Sequence, residues 1–193
     1  MRGIFLVLIL VVGFCLCTLA ALDDIKEPNI IIILADDLGW NDVGYHGSDI
    51  QTPEIDKLAD NGIQLNRFYT CPVCTPTRAG LLTGKYPDRF EMRNGVCAPT
   101  VLNGLPPEET TLAEYLGQKG YKNRAAFGKW HLGHSHLKYH PLNQGFTYFY
   151  GHYNGAIDYF TRKRDAELDW HRNFDPVFEE GYSTDLIGED VVR

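Results

Sequence analysis

The strongest hydrophobic feature of the chain lies at its start, where an almost unbroken apolar run extends from Ile4 to Leu16. Arg2 precedes it, and small residues at Thr18, Ala20 and Ala21 lead into Asp23 and Asp24. A basic start, a short apolar centre and a small-residue exit are the marks of a signal peptide, here residues 1–20 with cleavage near Ala20. The run is short for a membrane span, and no later segment is apolar for long enough to cross a bilayer. Cys15 and Cys17 follow Phe14 and Leu16, not the small residues that a lipid-attachment site would have.

Beyond this segment the pattern alternates between strand-like and helix-like stretches. Residues 29–35 read NIIIILA, a short β-rich run of the kind buried on both faces of a parallel sheet. Thr52 caps a predicted helix that opens on Pro53, buries Ile55, Leu58 and Ala59, and ends at Gly62. Residues 63–69 predict a second strand. A short helix over 76–83 stops at Gly84, and the Gly/Pro-rich stretch 96–107 reads as a loop. A third helix spans 111–119 and is ended by Gly120, and 121–127 predicts a third strand. From Lys138 onward Tyr, His, Asn and Gly dominate, which predicts long surface loops. Ser183 can cap a last helix containing Leu186, Ile187, Val191 and Val192, a pattern that stops at Arg193 as if cut in mid-helix. The element order predicts an α/β layered fold with a largely parallel sheet flanked by helices.

Composition narrows the class. Of 193 residues, 44% are apolar and 22% charged, with a formal net charge of −7. That balance excludes disorder as a whole-chain description. The sign of the charge is wrong for general nucleic-acid binding. Loss of the signal segment would leave Cys71, Cys74 and Cys97, an odd number of thiols in an exported chain. A disulfide between any two of them leaves a third that needs a chemical explanation.

Three polar clusters fall at or near predicted strand ends, where open α/β sheets bind ligands. Asp36 and Asp37 follow the first strand; adjacent carboxylates suit a hard cation such as Ca²⁺ or Mg²⁺, or serve as a helix cap beside a solvated acid. Cys74-Thr75-Pro76-Thr77-Arg78 opens a helix, whose N-terminus lowers a thiol pKa and attracts anions. Arg78 stands one turn further along the same face. A nucleophile beside a guanidinium suits attack on an anionic ester, while a disulfide from Cys74 to Cys71 or Cys97 is the bland alternative. Gly128-Lys129-Trp130-His131-Leu132-Gly133 follows the third strand. In an extended segment Lys129 and His131 project to one side, offering a fixed charge and an acid/base group. His134, His136 and His140 follow at spacings that match no standard zinc finger, and read as solvated loop residues.

In this order the clusters resemble the signatures of the sulfatase family: ADDLGW (35–40), CTPTRAGLLTGKYP (74–87) and GYKNRAAFGKWHLG (120–133). The resemblance is nearest to the arylsulfatase and N-acetylgalactosamine-sulfatase type, and runs from about Pro28 to the end. It implies an alkaline-phosphatase-like layered fold, incomplete at the C-terminus, with residues 21–193 forming the N-terminal part of a catalytic domain. It also implies that Cys74 is oxidised to Cα-formylglycine by a formylglycine-generating enzyme that reads Cys74, Pro76 and Arg78. Asp36, Asp37 and the modified side chain at 74 would bind Ca²⁺ or Mg²⁺. Arg78 would fix that side chain, and Lys129 and His131 would hold the sulfate or the formylglycine hydrate. The implied activity is hydrolysis of an aryl or carbohydrate sulfate by an exported enzyme, with no nucleic-acid partner and no membrane attachment after signal cleavage.

The chain departs from the family pattern at Thr77, where Ser is commoner, at Asn123, and above all in length. Further metal and catalytic residues of the family have no counterpart here, so the chain reads as a truncated product. A non-catalytic fragment is one alternative. A phosphoester hydrolase of the same superfamily is another, against which Cys74 with Pro76 and Arg78 argues. Trp130, Tyr148, Tyr150, Tyr153 and Trp170 serve either as core or as stacking surfaces for sugar or aryl rings.

Overall fold

Residues 27–193 are described in the computed structural model, and the expected signal peptide, residues 1–20, lies outside them. The chain divides into two units, Met1–Asp56 and Lys57–Arg193.

In the N-terminal unit the 29–35 segment joins no ladder among the described residues. Ile31 and Ile33 are 81% and 80% exposed. The expected buried strand is therefore corrected: its composition suits a strand covered on both faces, but within the unit no neighbouring layer covers it. Two 3₁₀ turns follow, Trp40–Asp42 and Gly44–His46. The Asp42 carboxylate accepts from the Gly39 N–H at 2.7 Å, and Trp40 stacks on His46 with centroids 3.8 Å apart. The Thr52 hydroxyl accepts from Gly44 N–H at 2.8 Å and donates to the Asp56 carboxylate at 2.8 Å. Helix α1, Pro53–Asn61, begins here with the predicted first residue and length. Its predicted apolar face is not buried: Ile55 and Leu58 are exposed.

In the second unit the 63–69 stretch is also neither paired nor buried; Ile63 and Phe68 are exposed. Helix α2, Cys74–Thr83, starts two residues before the predicted helix. Gly84 ends it in the left-handed conformation at φ 64°, donating its N–H to Gly80 O at 2.9 Å; glycine takes this geometry without steric cost. Helix α3, Leu112–Gln118, is fixed by a reciprocal cap. Thr111 Oγ1 accepts from Glu114 N–H at 3.1 Å, and the Glu114 carboxylate accepts from Thr111 N–H at 2.7 Å.

Strands β1 (Ala125–Lys129) and β2 (Tyr148–His152) pair in parallel over five residues. The hairpin strands β3 (Lys163–Arg164) and β4 (Glu167–Leu168) form a separate ribbon. Strands β5 (His171–Arg172) and β6 (Asp175–Pro176) complete the main sheet in the order β1-β2-β5-β6, antiparallel outside the longest ladder. Helix α4, Ser183–Val191, closes the chain. Ser183 is its buried first residue, not its cap.

The expectation of surface loops after Lys138 is corrected by β2, which is buried over its last four residues. Phe149, Tyr150 and Trp170 are core residues. Among them the ladder demands a glycine: a Cβ on Gly151 would lie 2.1 Å from Gly128 O. The main apolar cluster joins Ala79 of α2 to Phe90, Met92, Cys97, Leu105, Trp130, Leu132 and Phe149. It thereby packs α2 against the segment that follows β1.

Candidate active site

The packing of α2 beside the end of β1 brings Cys74, Arg78, Lys129 and His131 together. Cys74 is the first residue of α2, after Val73 in extended conformation. Its Sγ lies 3.0 Å from His131 Nδ1. The Arg78 guanidinium donates to Lys129 O. Thr75, 2% exposed, donates its hydroxyl to His131 O at 2.9 Å and accepts from Cys97 N–H at 3.1 Å. Thr77 donates to Cys71 O at 3.0 Å and Val73 O at 2.9 Å, tying the turn that leads into Cys74.

Lys129 ends β1, but the expected extended run through His131 is corrected: His131 is left-handed, at φ 55°. Its N–H donates to Tyr153 O at 3.0 Å, and Trp130 N–H donates to His152 O at 2.9 Å. The imidazole is buried against Gly155, where a Cβ would lie 2.5 Å from His131 Cε1.

Cys71, Cys74 and Cys97 are all free thiols. Burial pushes the Cys97 thiol up to about 11; a Thr75 hydrogen bond opposes this and Cys74 adds to it. Buried Cys97 is therefore a protonated, inert neighbour, whereas half-buried Cys74 stands at a helix N-terminus beside an imidazole.

Two ionisable groups absent from the sequence reading frame the same region. His152, aligned with Lys129 across the parallel ladder, is held down to about 4 by burial above all. Asp169 and the Asn154 carbonyl oppose this; the charges of Lys129 and Arg78 reinforce it. Asp169 accepts from Tyr153 N–H, Asn154 N–H and the Asn154 side chain at 2.8–2.9 Å, with His171 Nε2 at 3.3 Å. Burial raises its pKa, yet these bonds outweigh burial and hold it at about 2. Both residues lie in the stretch after Lys138, whose Tyr, His and Gly content conceals a buried strand.

Of the later histidines, His136 is an exposed loop residue as expected and His134 is half-buried, whereas His140 departs from the expectation. His140 is buried, with Nε2 at 2.8 Å from Tyr153 Oη and 3.0 Å from Asn173 O. No cluster of three or more His, Cys, Asp or Glu suited to a metal occurs among the described residues. Asp36 and Asp37 belong to the N-terminal unit, where both are exposed and Asp37 is left-handed at φ 57°.

A parallel pair ending in polar residues, with a helix that presents a thiol to an imidazole, makes this an α/β protein with a candidate site at its strand ends. The family model described as Sulfatase matches residues 28–193, and the chain belongs to that family. It is 44% identical over 136 residues to arylsulfatase J of Mus musculus, covering 70% of this chain and 23% of that protein. It is 48% identical over 138 residues to steryl-sulfatase of Homo sapiens, covering 65% and 24%. N-acetylgalactosamine-6-sulfatase of Mus musculus is 36% identical over 161 residues, covering 79% and 31%. The chain thus spans about a quarter to a third of the length of these relatives. Among solved structures, Ps i-CgsB matches with TM-score 0.79 and 32% identity, over 86% of this chain and 41% of that one. The same protein has been solved with a neocarrahexaose. The PsFucS1 sulfatase of Pseudoalteromonas sp. matches with TM-score 0.57 and 33% identity, over 71% and 28%. No helix among the described residues is long and apolar enough to cross a membrane.

Proposed function

We propose that residues 21–193 are the N-terminal part of an exported sulfatase that hydrolyses sulfate esters through a formylglycine at position 74. The observation that carries the reading is the 3.0 Å approach of Cys74 Sγ to His131 Nδ1, inside a Cys-x-Pro-x-Arg helix start whose arginine is anchored to the end of β1. The family match supports it.

A sulfate ester repels an incoming nucleophile. Arg78 and Lys129 supply fixed positive charge, which lowers that barrier where negative charge develops on the sulfate oxygens. His131 can hold or move a proton at the side chain of residue 74, since its Nδ1 already faces that position. Formylglycine, made by a formylglycine-generating enzyme, would supply a hydrated aldehyde with one hydroxyl for attack and another for release of sulfate. Asp36 and Asp37 are adjacent, exposed carboxylates, a hard-oxygen pair whose mutual repulsion a cation relieves. They fit Ca²⁺, or Mg²⁺, as two of its oxygen ligands, and the cation would offset charge on the sulfate. The Ps i-CgsB complex supports a sulfated glycan over other esters.

Expression with a formylglycine-generating enzyme tests the reading. The peptide containing residue 74 should be about 18 Da lighter than its cysteine form, the difference between a thiol and an aldehyde. Multiple-turnover sulfatase activity from unmodified Cys74 would refute it. The exposed 29–35 and 63–69 stretches favour a second reading, a non-catalytic product. Conversion at position 74 with cation binding but no turnover would distinguish it.

A further inference from the structure

Strand β2 ends at His152, and the N–H groups of the next two residues need acceptors outside its ladder. One side chain supplies both. The Asp169 carboxylate accepts from Tyr153 N–H at 2.9 Å on Oδ1 and from Asn154 N–H at 2.8 Å on Oδ2. Asn154 Nδ2 adds a bond to Oδ2 at 2.9 Å, and His171 Nε2 stands 3.3 Å from Oδ1. With its pKa at about 2, Asp169 is ionised at neutral pH, and bonds to an ionised acceptor are roughly twice as strong as neutral ones.

Asp169 is itself fixed. It is 5% exposed, and Trp170 beside it is fully buried. Its N–H donates to Arg162 O at 2.9 Å. Arg162 is buried in turn, its guanidinium donating to Gly181 O at 2.8 Å and to Glu179 O. The carboxylate therefore holds the 153–154 main chain from a firm base.

The other side of that segment supports His131. Tyr153 O accepts from His131 N–H at 3.0 Å. Gly155 lies so close that a Cβ there would stand 2.5 Å from His131 Cε1 and 2.8 Å from Nε2. A shift of the segment thus moves the backbone partner of His131 and the wall behind its ring together. His131 Nδ1 is 3.0 Å from Cys74 Sγ, and a displacement of about 1 Å would carry this contact out of hydrogen-bond range.

We infer that Asp169 is a positioning residue: by holding the main chain of Tyr153 and Asn154, it sets the place of His131 against the side chain of residue 74. The inference rests on the reading of His131 as the group that handles a proton at that side chain.

The 193-residue chain made without a formylglycine-generating enzyme, so that residue 74 stays a cysteine, tests it. Iodoacetamide labelling read by peptide mass gives the rate at Cys74 relative to Cys71 in the same molecule, and amide exchange reads the His131 N–H. His131→Ala should lower the labelling ratio about tenfold or more, through loss of the proton acceptor. Asp169→Asn should lower it about three- to tenfold and speed exchange at His131 about tenfold. Added to His131→Ala, it should change the ratio less than about twofold, because the two residues act as one unit. Asp165→Asn removes a neighbouring exposed charge and none of these bonds, and should leave the ratio within about twofold of wild type. Melting temperatures establish folding. If Asp169→Asn does not fold, Asn154→Ala decides: it removes one donor to the carboxylate and should lower the ratio about twofold, and no change there overturns the inference. An unchanged ratio and exchange rate in folded Asp169→Asn, an equal effect of Asp165→Asn, or full additivity with His131→Ala also overturns it, while the sulfatase reading stands. If His131→Ala leaves the ratio unchanged but Asp169→Asn still frees the His131 amide, the positioning is upheld and the proton role of His131 fails.

Discussion

Thr75 is the position where the smallest chemical change should have the largest readable effect. Thr75→Val keeps the shape of the side chain and removes one hydroxyl. That hydroxyl serves two backbone groups, accepting from Cys97 N–H and donating to His131 O. Thr75 and Cys97 are 2% and 0% exposed, so the valine leaves both groups unpaired away from water. An unsatisfied buried donor costs roughly 1–3 kcal/mol, and a carbonyl with a second lone pair sits at the low end. The sum is about 2–4 kcal/mol, equivalent to roughly 4–16 °C in Tm for a domain of this size. Urea unfolding measures the loss, and amide exchange at Cys97 localises it, because that N–H should exchange faster. Thr83→Val is the control: its hydroxyl also serves two backbone groups, donating to Ala79 O and accepting from the exposed Lys85 N–H at 3.3 Å, but at the end of α2 water can replace it, and its loss should cost less than about 1 kcal/mol. Equal effects of the two substitutions, or an unchanged Cys97 exchange rate, would refute the assignment of Thr75 as the strut between α2 and His131.

Gly155→Ala places a methyl 2.5 Å from His131 Cε1 and should cost about 1–3 kcal/mol in urea unfolding. Gly188→Ala in α4, with nothing within 4 Å of its Cβ, should instead be neutral or stabilising by up to about 1 kcal/mol. The pH dependence carries a sign that His152 sets. Its pKa is about 4 folded against 6.5 unfolded, so the unfolded chain binds the extra proton. Stability is full above about pH 6.5 and is lost as pH falls toward 4, by about 3 kcal/mol in all. His152→Gln should flatten that acid limb of a urea-unfolding series, and an unchanged slope between pH 6.5 and 4 would remove His152 as its source.

The parts of the fold that were legible beforehand are those set by local chemistry. Gly84 and Gly120 mark helix ends because the chain needs a glycine-compatible conformation there, at φ 64° and 95°. Thr111 and Glu114 stand three apart, and the reciprocal cap follows from that spacing. What was not legible depends on partners distant in sequence. Residues 121–127 have strand composition, but the strand proper is Ala125–Lys129. The Arg124 guanidinium takes the Tyr121 carbonyl, as well as Gly145 O, and the chain there is held by side-chain bonds before a ladder begins. In β2 no period-2 alternation exists to be read, since its last four residues are all buried. The 29–35 segment shows the converse: its composition is that of a strand, yet a strand is made by its neighbours, and Ile31 and Ile33 have none covering them in their unit. At the site, Cys74, Arg78, Lys129 and His131 were legible as chemistry. Thr75, Gly155, His152 and Asp169 were not, because their roles come from packing.

The geometry between Cys74 and His131 does not depend on the sulfur–imidazole contact alone. The segment 129–131 is held from two sides by its backbone. Its donors face β2, through Trp130 N–H to His152 O and His131 N–H to Tyr153 O, which prolong the parallel ladder past the end of β1. Its acceptors face α2, through Arg78 to Lys129 O and Thr75 to His131 O. The two residues of α2 that reach across, Thr75 and Arg78, stand next to Cys74 and one turn beyond it. The helix that presents Cys74 is therefore the same element that fixes the imidazole, and displacement of one requires displacement of the other. This shared support also accounts for a non-glycine residue at φ 55°. A left-handed histidine is conformationally unfavourable by roughly 1–3 kcal/mol, and four hydrogen bonds around three residues hold it there.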